Sequence, residues 1–430
     1  MDGSDSSSLP SAAPLRYAAR DFHFSLPDGR ALTASFIVLK KGPLTIRFTG
    51  LERFVFTFPG GTISHFSASS RTPLVFITEF LNFLIEEYPS VPPAQVPFCF
   101  DTEDMQDFFS AYARGGRRTD ATVLQCVSSV TRFAAGLADR YPGVMPFERD
   151  SLFRIVPFRT SRGASAVRSM PVFSVRTAGV VRDTFRDLPL KALALLLRLS
   201  YIYAPDILLA LCFQAFAGLR EGEVMSVRQQ SGVYGPGLII TEQGGELTRV
   251  IIDISSDYVL RSDGIPTGTI KRTRKAEIFP AFLPVFRTAH ALHLQYLAGI
   301  SHDPLRAPMF IDSRGNAMTV HTYRRRVRDL VHGRLRPALL ASADPELVSY
   351  GRLLTEHGFV PHQFRHAMSV ALVLMGASIE VLQYYRGDRD PSVSMHYLSR
   401  KQDLVRVYRS AQDALMESLL SVFRKEEKDE

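Results

Sequence analysis

Tryptophan is absent from the 430 residues, and cysteine occurs three times only, at Cys99, Cys126 and Cys212. Three widely separated thiols with no C-x-x-C pair exclude a disulfide framework and a cysteine zinc module, and they fit a reducing, cytoplasmic setting. Lysine is scarce too. It stands at positions 40, 41, 191, 271, 275, 401, 425 and 428, so the other 43 of the 51 basic residues are arginine. Arginine grips phosphate through a planar fork that lysine lacks; a GC-rich gene would give the same bias. Long apolar runs are missing as well. The most apolar stretch, Leu188 to Leu219, is broken by Lys191, Arg198, Pro205 and Asp206, which excludes a membrane span and reads as two core helices. The start, Met1-Asp2-Gly3-Ser4-Asp5, is acidic and polar, unlike a signal peptide.

What is present suits a large folded chain. Hydrophobic residues make up 46% and include 30 phenylalanines, enough for the cores of two or three domains. A formal charge of +8 and a pI of about 9.4 favour a polyanionic partner. Residues 1–14 are Ser/Pro-rich and read as a disordered tail. Residues 15–65 read as a small β-rich module, with strands at Phe36 to Leu39, Leu44 to Phe48 and Phe54 to Phe58 separated by Pro/Gly turns. From 72 to 150 the pattern is helical. Ile77, Phe80, Leu81 and Leu84 share one face, Asp101 and Thr119 are N-caps, and Val123, Val127, Val130, Ala134 and Leu137 recur at helical spacing.

Residues 151–187 carry seven arginines among Ser, Gly and Pro and read as an extended basic linker or a hinge. Residues 188–400 form a further domain: helices, a β-rich middle (Leu238 to Thr241, Val250 to Ile254, Ala276 to Phe279), then helices again. Residues 401–430 end the chain with an apolar helical stripe, Leu404, Tyr408, Ala411, Leu415, Leu419 and Val422, and a charged tail. The fold class expected is mainly α with a small antiparallel β-sheet.

Three stretches carry chemistry. Gly218 is a good helix terminator, so Arg220 in Gly218-Leu219-Arg220-Glu221-Gly222-Glu223 projects from a junction before a new helix. The basic stretch Lys271-Arg272-Thr273-Arg274-Lys275 holds the only lysines between 191 and 401 and precedes Glu277-Ile278-Phe279-Pro280 on an expected β-hairpin. In Pro361-His362-Gln363-Phe364-Arg365-His366, proline opens a helix, and His362 and Arg365 share a face near its N-terminus, where backbone amides favour phosphate. Gly387-Asp388 and His396-Tyr397 follow. His362 and His366 stand at zinc-ligand spacing, but the glutamate of a metalloprotease motif is missing and Arg365 would oppose a cation. No metal and no cofactor is expected.

Taken in order, these residues resemble the catalytic domain of the tyrosine recombinase (phage integrase) family. The motifs cover about residues 190 to 400; residues 72 to 150 match by helical organisation and position only. The resemblance implies a two-domain DNA clamp with an extra N-terminal β-rich segment, and a metal-free strand exchange through a 3′-phosphotyrosyl intermediate. Tyr397 would be the nucleophile, Arg220 and Arg365 the phosphate clamp, and His362 a base or hydrogen-bond partner. Lys271, or second Lys275, would be the general acid. Arg117, Arg118, Arg272 and Arg274 would bind DNA, although an exposed turn such as 115–118 is also simply solvated. Tyr384 and Tyr385, rivals of Tyr397 by type, read as core packing.

Asp388 departs from the family, which has histidine or tryptophan there; its interval to Tyr397 is nonetheless the expected one. The implied partner is double-stranded DNA with paired inverted half-sites, bound by a dimer per site and a tetramer in the synapse. The C-terminal helix would pack on its own domain or on a neighbour. No membrane partner is implied, and the location is cytoplasmic, nucleoid-associated if bacterial. The alternative is a catalytically impaired DNA-binding protein on the same scaffold, with an architectural or regulatory role.

Overall fold

The computed structural model describes residues 14–56, 71–115, 118–159, 165–177, 179, 188–270 and 273–387. The N-terminal tail, the C-terminal helix and tail, and Arg117, Lys271, Arg272, Asp388 and Tyr397 lie outside the described residues. The chain divides into two compact units, one holding the described residues up to 179 apart from 24–32, the other holding 24–32 and those from 188 on. Both are built mainly of helices with small antiparallel sheets.

In the first unit β1 (Leu15–Ser25), β2 (Ala31–Lys41) and β3 (Leu44–Phe48) form a three-stranded sheet in that order. The stretch beginning at Phe54, expected as a strand, is instead one turn of helix, α1 (Arg53–Phe56). Leu51, Phe54 and Val55 are all buried. Their i, i+3, i+4 spacing puts them on one helical face, whereas a strand would send adjacent Phe54 and Val55 to opposite sides. Helices α2 (Arg71–Glu87), α3 (Thr102–Arg114) and α4 (Asp120–Arg140) follow. Asp101 caps α3, its carboxylate accepting from Glu103 N at 2.7 Å and Asp104 N at 3.1 Å, while Asp104 returns to Asp101 N at 2.9 Å. Thr119 caps α4.

Tyr17, Ile37 and Leu39 of the sheet share one core with Phe80, Phe109 and Phe133 of the helices. The basic stretch after 150, expected as extended linker, pairs with itself: β4 (Phe153–Arg159) and β5 (Ser165–Pro171) are antiparallel, from Phe153↔Pro171 to Arg159↔Ser165.

The second unit starts with α5 (Leu190–Tyr203), α6 (Pro205–Ala217) and α7 (Glu221–Met225). Every residue of α6 from Asp206 to Ala217 is buried, as expected of a helix apolar on all faces and central to its core. A sheet of β6 (Leu238–Gln243), β7 (Glu246–Ile254) and β8 (Arg274–Glu277) comes next. β7 pairs with β8 from Ile254↔Arg274 to Ile251↔Glu277. Since residues 255–273 intervene, Arg274 and Lys275 open β8 after a long connection and not in a tight hairpin. Then follow α8 (Leu283–Ala298), α9 (Val320–Leu330), α10 (Arg336–Leu340), α11 (Pro345–His357), α12 (His362–Leu374) and α13 (Ile379–Arg386). Bidentate pairs fasten α9 to α6 through Arg326 and Asp206, at 2.8 and 2.6 Å. Among the described residues no helix is long and apolar enough to cross a membrane.

One buried group in this core has a measurable consequence. His293 of α8 is 1% exposed and hydrogen-bonded through Nε2 to Met309 O at 2.7 Å. Burial pushes its imidazole down from 6.5 to about 4, with the Met309 contact opposing. Between those values the unfolded chain binds a proton that the folded chain refuses, so this group removes stability as pH falls. The loss amounts to about 3 kcal/mol by pH 4. Asp257 works in the opposite sense: burial pushes its carboxyl up to about 6, so its contribution is present in acid and fades as pH rises from about 4 through 6. The two offset one another in the wild type. His293→Gln should therefore gain stability relative to wild type as pH drops from 7 to 4, read from urea unfolding at each pH. Parallel profiles for the two proteins would refute this.

Candidate active site

Gly218 ends α6 in the left-handed conformation, with φ +60°, and a Cβ there would lie 2.5 Å from Met368 Sδ. Two residues on, Arg220 is extended and serves as N-cap of α7. Its backbone N–H donates to Glu223 Oε2 at 3.0 Å and its guanidinium Nη1 to Glu223 Oε1 at 2.9 Å. The Glu223 side chain is fully buried. Gly222, between them, packs backbone to backbone against the segment leading into the basic stretch: a Cβ on it would fall 2.6 Å from Thr269 O, and one on Gly268 would fall 2.3 Å from Gly222 O. Only glycine at both positions allows this approach.

The segment delivers Arg274 to the same carboxylate. Its Nη1 lies 3.2 Å from Glu223 Oε1, so two guanidiniums share one oxygen. Lys275 is exposed. Strand alternation puts it on the face of β8 opposite Arg274 and Ala276. Arg365, on the first turns of α12, is 2% exposed. It donates through Nη1 to Gly218 O and through Nη2 to Arg386 O, the latter at 2.5 Å. Arg386, also buried, donates to Ser369 Oγ, which donates to Arg365 O at 2.9 Å.

The ends of α6 and α13, the start of α7, the head of β8 and the first turns of α12 thus meet. Among these five side chains the balance is four cations (Arg220, Arg274, Arg365, Arg386) to one carboxylate, Glu223. Such a cluster suits an anion with several oxygens. His362 begins α12, exposed, on the same side of the helix as Arg365 and His366.

The structure therefore joins Arg220, Arg365 and Arg274 at one place, with His362 a turn away. Arg118 is in the first unit, where its Nη1 donates to Tyr112 O at 2.6 Å and its guanidinium lies 3.9 Å from the centre of the Tyr112 ring. Tyr384 is not core: it is 58% exposed. Its hydroxyl donates to Glu277 Oε2 at 2.9 Å, on a carboxylate that Arg249 also grips at 3.0 and 2.9 Å. Tyr385 is half-buried against Phe279, ring centres 5.2 Å apart.

Glu223 and Arg386 were missed as site residues. Glu223 had a signal, since its position three after Arg220 is capping-box spacing. Arg386 had none, because a basic residue in the last turn of a helix is ordinarily a surface partner of the helix dipole.

No protein-family model matches the chain, and no curated protein matches it. Among solved structures it is similar to the pre-cleavage complex of the XerH site-specific recombinase bound to difH substrate, with 13% identity, a TM-score of 0.45, and coverage of 79% of this chain and 80% of that one. It is also similar to the Tn1549 transposon integrase in complex with transposon right end DNA, with 15% identity, a TM-score of 0.45, and 81% and 93% covered. The XerA recombinase is a third, with 13% identity, a TM-score of 0.34, and 84% and 97% covered.

Proposed function

We propose that this chain is a site-specific DNA recombinase of the tyrosine-recombinase type, cutting and rejoining DNA without metal. The observation that carries the reading is the bond from Arg365 to Gly218 O, across 147 residues of chain, which brings the second arginine motif against the junction holding Arg220. In this reading the two guanidiniums bind the non-bridging oxygens of the scissile phosphate and offset the charge of its pentacoordinate transition state. The Tyr397 oxygen forms a bond to phosphorus as the bond to the 5′ oxygen breaks. The phenolic proton passes to His362, and Lys271 protonates the departing 5′ oxygen. Religation is the same sequence reversed. The 3′-phosphotyrosyl link conserves the energy of the broken ester.

The substrate is duplex DNA with paired inverted half-sites, two protomers per site and four in the synapse. Arg118 and Arg272 contribute phosphate contacts, and Arg117 a further one, which makes binding steeply salt-dependent. Asp388 sits where the family places a hydrogen-bonding ring. Beside a phosphate a carboxylate repels, so its role is to orient Arg365 or Arg389 from behind.

The test is a nicked suicide duplex carrying the inverted repeats that flank the gene, incubated with the full chain in EDTA. A protein–DNA adduct that survives denaturant is expected. Binding of the duplex without an adduct would overturn the catalytic reading in favour of an architectural or regulatory protein on this scaffold.

A further inference from the structure

We infer that Arg274 is a third phosphate-binding guanidinium of this site, acting beside Arg220 and Arg365; the inference rests on the reading above for the identity of its phosphate. Arg274 spends one donor, Nη1, on Glu223. Its Nε and Nη2 are buried and have no hydrogen-bond acceptor among the described residues. Unpaired donors on a buried cation are costly, and native proteins keep few of them without a functional reason.

The unused atoms are a matched pair. Nε and Nη2 form the side-on edge of the guanidinium, which presents two parallel N–H groups to two oxygens. Three arginines elsewhere in the second unit hold a carboxylate by this edge, while Arg220 and Arg306 use Nη1 and Arg306 leaves only its Nε unpaired. Arg249 takes Glu277 by Nε and Nη2 at 3.0 and 2.9 Å, Arg326 takes Asp206 at 2.8 and 2.6 Å, and Arg261 takes Asp263 at 2.9 and 2.5 Å. Arg274 alone among these four has its edge empty.

Nor does anchoring Glu223 explain an arginine here. Glu223 already has Arg220, and a single donor from lysine would serve as a tether. Gly387, with φ +62°, lies directly against the unused edge, since a Cβ on it would fall 2.7 Å from both Cδ and Nε of Arg274. The edge is therefore next to Gly387, where α13 ends. An anion bridging Arg220 and Arg365 there has two N–H groups waiting for a further oxygen. The cation of the basic stretch that reaches the site among the described residues is Arg274, and Lys275 points the other way.

Arg274→Gln and Arg274→Lys in the full chain test this with two readouts. First, inorganic phosphate at constant ionic strength should raise the melting temperature of the wild type saturably. Arg274→Gln should lose that shift, and Arg274→Lys, which keeps charge but not the fork, should keep only part of it. Without phosphate Arg274→Gln should melt lower, because buried Glu223 loses one of its two cations, so the phosphate shift is read against each variant's own starting point. Second, adduct formation on the suicide duplex should slow by about 100-fold in Arg274→Gln, with duplex affinity nearly unchanged. An intact phosphate shift, or an unaltered rate of adduct formation, would falsify the inference, as would a lowered melting point with the shift intact, which is the mark of a mere tether. A phosphate shift that depends on Arg274 in a wild type that forms no adduct would sustain the anion site and sink strand exchange instead.

Discussion

Tyr397→Phe is expected to abolish the covalent DNA adduct, a loss on the order of 10⁴-fold or more, while Tyr384→Phe and Tyr385→Phe keep forming it. The difference is one of ionisation. A phenol with a free pKa of about 10 attacks phosphorus only if its proton is taken and its charge stabilised. The two tyrosines of α13 are placed against that. The hydroxyl of Tyr384 donates to Glu277, and this bond to a carboxylate, with burial second, holds the phenol above its ordinary range. Tyr385 is held up chiefly by burial. Neither loses its proton readily, and Tyr384 is committed to the Glu277–Arg249 pair. Tyr384→Phe removes one exposed hydrogen bond and should change adduct yield less than about twofold. Denaturing gels of the suicide-duplex reaction separate the cases. An adduct in Tyr397→Phe, or none in Tyr384→Phe, would move the nucleophile to α13.

Local signals were legible in the sequence, and non-local ones were not. The caps at Asp101 and Thr119, the break between α5 and α6 at Ala204-Pro205, and the stop at Gly218 are each decided by a few neighbouring residues. Their chemistry reads directly from the chain. The turn of helix at Phe54 went the other way because short apolar runs suit strand and helix alike, and only packing separates them. The β4–β5 hairpin was hidden by its arginines, which suggest a solvated linker although two exposed strands carry them equally well. Tyr384 was misjudged because the apolar face of α13 does not say which neighbour it meets. The arginine cluster itself was half legible. Arg220 and Arg365 stand in recognisable motifs, but the carboxylate that orients Arg220 is shared with Arg274, 51 residues further along the chain.

That shared carboxylate is also a vulnerable point of the second unit. Glu223→Ala should cost about 3–5 kcal/mol, a fall in melting temperature on the order of 10 °C for a unit of this size. Glu223 is fully buried, and Arg220 and Arg274 are 23% and 13% exposed, so solvent replaces little of what is lost. Alanine removes the acceptor of three N–H groups at once: Arg220 N, Arg220 Nη1 and Arg274 Nη1, at 3.0, 2.9 and 3.2 Å. It also leaves two guanidiniums facing each other across a cavity. Repulsion and desolvation dominate, since the capping bond alone is worth only about 1 kcal/mol. Glu223→Gln keeps one acceptor oxygen but sets an NH₂ among donors, so it should lose roughly half as much.

Two further outcomes follow from charge. Inorganic phosphate should restore more stability to Glu223→Ala than to wild type, because an anion then supplies the counter-charge that Glu223 no longer gives Arg220 and Arg274. Adduct formation should fall even where folding is rescued, since a phosphate clamp works only when its guanidinium is held in place before the substrate arrives. A loss below about 1 kcal/mol in urea unfolding would mean that the carboxylate is a bystander. The orientation of Arg220 would then have to come from elsewhere.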